Sequence, residues 1–137
     1  MKQPKPLRER VRTRITRSRA GVFLPRDFND LGGEDQVLRA LRQLVKEGQL
    51  VRLGYGVYGR AIRSSLDGQP MLYNRDGFIG ASREALTKLG VTWEPGSWEC
   101  AYNEGRSTQV PVNAVVRIKG RLARRLSYHG KPLVLER

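Results

Sequence analysis

Within "EDQVLRALRQLVK" the side chains Gln36, Arg39, Arg42, Gln43 and Lys46 stand three or four residues apart or adjacent. On an α-helix such intervals gather side chains onto one arc. Their types share a chemistry: Arg pairs bidentately with guanine, Gln with adenine and Lys with phosphate, in a groove wide enough to admit a helix. A face that serves only solvation more often mixes in Glu. Here the acids Glu34 and Asp35 stand ahead of the arc, where the helix dipole favours them. Two further groups surround it: Arg10, Arg14 and Arg17 upstream, expected to add phosphate contacts, and Arg52, Tyr55 and Arg60 downstream.

Little else in the chain supports chemistry. Cys100 and His129 are single members of their types, which excludes an internal disulfide and a cysteine-rich metal site. A Cys–His nucleophile pair is formally available, but a lone Cys between Trp98 and Tyr102 reads as a small hydrophobe, and the His of "SYHGK" reads as a turn residue. No catalytic residue, metal ligand or cofactor is expected. The glycines of "GYGVYG" lie inside an alternating pattern and do not open a helix, so they make no phosphate loop. The polar segment from Asn103 to Pro111, with Arg106, Ser107, Thr108 and Gln109, reads as a self-bonded loop leading into a strand, or as a ligand or partner site.

The charge balance favours a polyanionic partner. Of the 137 residues 26 are Lys or Arg and 13 are Asp or Glu, a formal net charge of +13. Such a field acts by counterion release or by attraction to anionic surfaces, and says nothing of fold. The excess is concentrated in front: 15 basic against 6 acidic residues up to Arg63, then 11 against 7. Arginine outnumbers lysine 20 to 6, which suits bidentate contacts. No apolar run nears the roughly 18 residues that cross a bilayer, and "MKQPKPLRERVRTR" lacks an apolar signal core. A cytoplasmic protein without membrane contact is the expectation.

Several elements must hold the cationic groups in place. Leu7, Val11 and Ile15 recur every four residues and predict an amphipathic helix ending near Gly21, with arginines around its stripe. Any one of those arginines is equally well explained by a solvated face. After "GVFLP", Pro25 predicts a short second helix over "RDFNDL", stopped by Gly32 and Gly33. A third helix spans about Glu34 to Glu47, with Val37, Leu38, Leu41, Leu44 and Val45 as its buried arc. "QLVRLGYGVYGRAI" then alternates on both sides of a glycine turn and predicts a β-hairpin. This order describes a winged helix-turn-helix over residues 1–63, its third helix placed for a groove and its hairpin, with Arg52, Tyr55, Arg60 and Arg63, leaning on the flanking backbone. Winged helices also serve as protein-protein modules, and the charge of the first half weighs against that use.

Residues 64–137 read as a second, small α+β unit. "SSLDGQPMLYNRD" predicts a linker or ordered crossover, and Ser82 an N-cap for a helix over "REALTKL" closed by Gly90. Strands are expected at about Asn113 to Lys119, Arg124 to Tyr128 and Pro132 to Glu136, forming an antiparallel β-meander. Trp93 and Trp98 flank "EPGS" and read as core residues, or as surfaces that stack on nucleic acid or bind a partner. The last strands offer Arg117, Lys119, Arg121, Arg124, Arg125 and Tyr128 as a modest platform for RNA, the alternative to duplex DNA.

The run "ALRQLVKEGQLVRLGYGVY", followed by "ALTKLG", "AYNEGRSTQVPVNAVVRIKG" and "RRLSYHGKPLVLER", resembles the AbiEi-type antitoxin family in its short form, over nearly the whole chain. The resemblance implies an N-terminal winged helix that binds operator DNA and represses its own operon, and a C-terminal domain that contributes to antitoxin activity beside a nucleotidyltransferase-like toxin. The combined expectation is an α+β protein acting as a sequence-specific transcriptional repressor without enzymatic activity. Its expected partners are operator DNA, a cognate toxin and a second copy of itself. The alternative is an antitoxin that binds RNA or protein without operator DNA.

Overall fold

A computed structural model describes residues 5–96, 114–122 and 125–136. The chain folds as an α+β protein in which one small sheet is covered on both faces.

Helix α1 (Leu7–Arg17) buries Val11 and Ile15, the stripe its four-residue spacing predicts. Strand β1 (Val22–Phe23) follows. The expected second helix is a single 3-10 turn, Pro25–Phe28, in which the Asp27 carboxylate accepts the Leu24 N–H at 2.9 Å. The piece from Pro25 to the fully buried Phe28 is four residues long, and the tighter turn is the usual outcome for so short a piece. Helix α2 (Glu34–Lys46) buries Val37, Ala40, Leu41 and Leu44. It ends in a Schellman arrangement: Gly48 N–H donates to Val45 O and Gln49 N–H to Leu44 O, with Gly48 at φ +79°. Leu38 and Val45, expected in the buried arc, are only half-buried, because they lie on the flank of α2 that faces an open groove.

Strands β2 (Leu50–Gly54) and β3 (Val57–Arg63) form the hairpin, turning at Tyr55-Gly56. The sheet order is β1-β3-β2, all antiparallel, and β4 (Pro70–Leu72) pairs with the end of β3. Alternation sends Phe23, Leu50 and Tyr58 toward the helices, where they pack with Val11, Phe28, Val37 and Leu41. Their neighbours Val22, Leu24, Leu53 and Val57 face the other way into a second core with Leu72, Leu86, Val116, Ile118 and Leu126. That second core draws residues from both sides of Arg63. Segment 64–76, expected as a linker or crossover, contains β4 and is ordered.

Helix α3 (Gly77–Lys88) starts five residues before the expected N-cap, Ser82, which sits fully buried in mid-helix. The apolar spacing runs back from Ala85 through Ala81 to Phe78, and the turn before the helix is made by Asn74, whose Oδ1 accepts the Asp76 N–H. Glu84 on α3 accepts the N–H groups of Gly21 and Val22 at 2.9 and 2.7 Å, and Lys88 pairs with Asp27 at 2.8 Å. These contacts join the second half to the first.

The expected antiparallel meander is replaced by a mixed arrangement. Strand β5 (Thr92–Pro95) pairs antiparallel with β6 (Val115–Lys119), which pairs in parallel with β9 (Val134–Glu136). Strands β7 (Ser127–Tyr128) and β8 (Lys131–Pro132) form a separate two-stranded hairpin turning at His129 and Gly130, both at positive φ. The chain from Gly120 to Leu133 acts as a crossover, and a crossover of that length lets β9 run alongside β6 in the same direction. Trp93 is half-buried, pairs across strands with Ile118 and donates from Nε1 to Thr87 Oγ1 at 2.9 Å. Trp98, Cys100, the Asn103–Pro111 segment and Arg124 lie outside the described residues, as does Asn113 at the start of the first expected strand.

Candidate nucleic-acid interface

The three cationic groups of the sequence meet different fates, decided by which carboxylates and carbonyls lie within reach. On α2 the core-facing residues Val37, Ala40, Leu41 and Leu44 fix the helix's rotation. That rotation turns Gln36, Arg39, Arg42, Gln43 and Lys46 to solvent, and all five are exposed. None of Arg39, Arg42 and Lys46 has an acidic partner among the described residues. The arc is therefore open and uncompensated, with Glu34 and Asp35 confined to the first turn.

The hairpin is less free than the sequence suggests. Its outer face leans on the C-terminal half: a Cβ added at Gly54 would stand 2.4 Å from the Arg125 carbonyl oxygen and 3.0 Å from Leu126, so only glycine permits that approach. The tip and the α2-facing side stay open, with Tyr55 72% exposed and Arg52 exposed, its Nε donating weakly to Gly54 O at 3.4 Å.

Arg60, expected on the wing, is elsewhere. It pairs in register with Leu50 at the far end of the hairpin, on the same sheet face as Tyr58, which aims it at the end of α1. Its Nη2 donates to the carbonyls of Ile15, Ser18 and Ala20 at 2.8, 2.7 and 2.9 Å, and its guanidinium lies 5.6 Å from the centre of the Phe23 ring. It thus ties the last turn of α1, where the Ile15 carbonyl also accepts the Ser18 N–H, to the carbonyls of the two residues Ser18 and Ala20 that follow the helix. Arg63 is likewise occupied, donating to the Glu47 and Gly68 carbonyls at 3.1 and 3.0 Å.

On α1 the structure separates the three expected phosphate-binding arginines. Arg14 is taken by Asp30 in a two-pronged pair at 2.5 and 2.7 Å and also donates to the Asp27 carbonyl. The hydrogen bonds from Arg14, aided by its charge, hold the Asp30 carboxyl below its ordinary range, and Asp30 in turn raises Arg14. Arg14 is a staple between α1 and the segment before α2. Arg10 and Arg17 are exposed and carry no ion pair among the described residues. Arg8 and Arg12 pair with Glu9, and Arg8 also reaches Glu47.

Two features escaped the sequence reading. Arg26, on the 3-10 turn, is exposed beside the α2 arc and unpaired among the described residues. A groove of about 490 Å³ also separates α2 from the hairpin, lined by Arg26, Arg42, Lys46, Arg52 and Tyr55 above apolar side chains that include Leu38 and Val45. The signal was present in the spacing, since Leu38 and Val45 lie seven residues apart, beside the main apolar stripe.

On the C-terminal strands, Arg117 lies opposite Glu136 at 3.9 Å, and Lys119, opposite Thr92, reaches diagonally to Glu94 at 4.0 Å. The Tyr128 hydroxyl accepts the Leu72 N–H at 2.8 Å, and the ring packs against Phe78. Among the described residues no group of His, Cys, Asp and Glu is placed to hold a metal ion, and no helix is long and apolar enough to cross a membrane. The chain matches no protein-family model, no curated protein and no solved structure.

Proposed function

We propose that the first 63 residues act as a winged helix-turn-helix that binds duplex DNA, with α2 in the major groove, and that the protein is a sequence-specific transcriptional repressor without enzymatic activity. The observation that carries this reading is the state of the arginines. Three of the five arginines of α1, Arg8, Arg12 and Arg14, and both at the far end of β3 are held by internal partners, whereas Arg39, Arg42 and Lys46 on α2 are exposed and unpaired among the described residues, with Gln36 and Gln43 beside them. The sheet order β1-β3-β2, with α2 leading directly into the hairpin, supports the winged-helix assignment.

In this reading Gln36, Arg39 and Gln43 read base edges, while Arg42, Lys46, Arg26, Arg52 and Tyr55 hold the backbone, with Arg10 and Arg17 adding outlying contacts. The assignment of an autoregulating antitoxin of a toxin-antitoxin system rests on the motif resemblance alone. Binding of a labelled duplex from the region upstream of the gene, competed by random duplex and by RNA over a salt series, tests the proposal. With six backbone-facing cations, Arg10, Arg17, Arg26, Arg42, Lys46 and Arg52, log K falls against log salt with a slope of about −5. Equal competition by upstream duplex, random duplex and RNA would reject it.

A second reading, contact with a protein partner, is favoured by one observation. Ile62 and Met71 are cross-strand partners on β3 and β4 and are exposed, as is Tyr73 two residues after Met71. Exposed apolar side chains grouped in this way are typical of contact surfaces. A cognate toxin or a second copy of the chain would be recognised there without displacing DNA from α2, and light scattering of Met71→Lys against the unaltered protein reads whether the patch is used.

A further inference from the structure

The groove between α2 and the hairpin has a property that DNA binding does not account for. Its floor is apolar, formed by Leu24, Leu38, Val45, Tyr58 and Leu89. Its rim carries Arg26, Arg42, Lys46 and Arg52 against Glu34 as the one acidic residue among the described residues that line it. None of the four cations has a carboxylate partner among the described residues. A sugar-phosphate strand would use the cations and leave the floor unexplained. Half-buried aliphatic side chains beneath unpaired cations suit a ligand with an apolar body and a negative head. The volume of about 490 Å³ lies among those that hold small organic molecules.

We propose that this groove is an effector site for an amphipathic organic carboxylate, whose apolar body lies on Leu38 and Val45 and whose carboxylate is held by Arg42, Lys46 and Arg52. Because those three cations also face the DNA of the proposed function, ligand and duplex compete. The competition rests on the DNA-binding reading; the ligand site does not.

The test uses 2-naphthoate as probe, with 2-naphthamide as its neutral counterpart and acetate as an anion without a body, each titrated calorimetrically into the full chain. Naphthoate is expected to bind about tenfold more tightly than the amide, since charge-assisted hydrogen bonds are the stronger kind. Leu38→Gln and the near-isosteric Val45→Thr each weaken naphthoate about fivefold by adding polarity to the floor, and leave duplex affinity unchanged. Naphthoate lowers the apparent duplex affinity by the factor one plus its concentration over its Kd.

Equal binding of naphthoate and amide, equal binding of naphthoate and acetate, or indifference to both floor variants overturns the site. Naphthoate binding that leaves duplex affinity unaltered overturns the competition. Naphthoate binding by a chain that takes up no duplex upholds the site while rejecting the DNA-binding reading.

Discussion

Replacing Arg60 by alanine separates an internal tie from a DNA contact. One guanidinium nitrogen donates to three carbonyls at 2.7 to 2.9 Å, closing the end of α1 against β3. A hydrogen bond from a charged donor is worth about 1.5–3 kcal/mol, but three bonds sharing one nitrogen do not add, and in the variant water reaches some of the freed carbonyls because Arg60 is only part-buried. A loss of about 2–3 kcal/mol is expected, including the contact with the Phe23 ring. For a chain of this length that is a fall in Tm of roughly 6–15 °C. Calorimetry or circular dichroism measures it, and duplex binding is then read well below the lowered Tm. The expected result is a large stability loss with affinity and salt slope little changed. Unchanged Tm together with a uniform loss of affinity on all sequences would return Arg60 to the backbone-contacting role its place in the hairpin sequence suggests.

Other substitutions test neighbouring parts of the account. Gln43→Ala is expected to narrow the gap between preferred and random duplex by about 1–3 kcal/mol with the salt slope unchanged, because the side chain is neutral; binding assays at two salt concentrations check it. Asp30→Asn releases Arg14 from its two-pronged pair and is expected to steepen the salt slope by about 1, and an unaltered slope would mean Arg14 cannot reach phosphate even when free. Gly54→Ala drives a Cβ to within 2.4 Å of the Arg125 carbonyl and is expected to destabilise the fold by about 1–3 kcal/mol, measured by urea unfolding, as the hairpin parts from the C-terminal half.

Elements with a strong repeating signal were legible in the sequence. The stripe of Val11 and Ile15, the arc of Val37, Leu41 and Leu44, and the alternation of Leu50 to Tyr58 each gave the right element, because apolar period alone identifies a face that must be buried. Strand β1 has two residues, too few to show a period, and is held by its pairing with β3 and by Glu84, more than sixty residues away. Ser82 carries the residue type of an N-cap, yet lies between Ala81 and Ala85 on the face that α3 buries.

Within the site the difficulty was of another kind. Arg52 and Arg60 are both hairpin arginines facing the same side of the sheet, and nothing local tells them apart. Their fates differ because α1 happens to end beside Arg60, which bonds across 40 to 45 residues of sequence. Arg14 and Asp30 repeat the lesson at a separation of 16. Long-range polar pairs of this sort leave no periodic trace, so a count of arginines locates the charge but not the surface that uses it. The parallel pairing of β9 with β6 was hidden for the same reason, since it depends on the path of a crossover.

The central claim is that the exposed arc of α2, rather than the chain's net charge, is the surface that meets DNA. Two double variants that remove the same charge decide it: Arg42→Ala with Lys46→Ala on the open arc, and Arg8→Ala with Arg12→Ala among arginines already paired on α1. Anisotropy titration of one duplex over a salt series is expected to give a slope shallower by about 2 for the first pair and little changed for the second. Equal changes for both pairs would mean that the protein attracts DNA through its general field, and α2 would lose its assigned place in the groove.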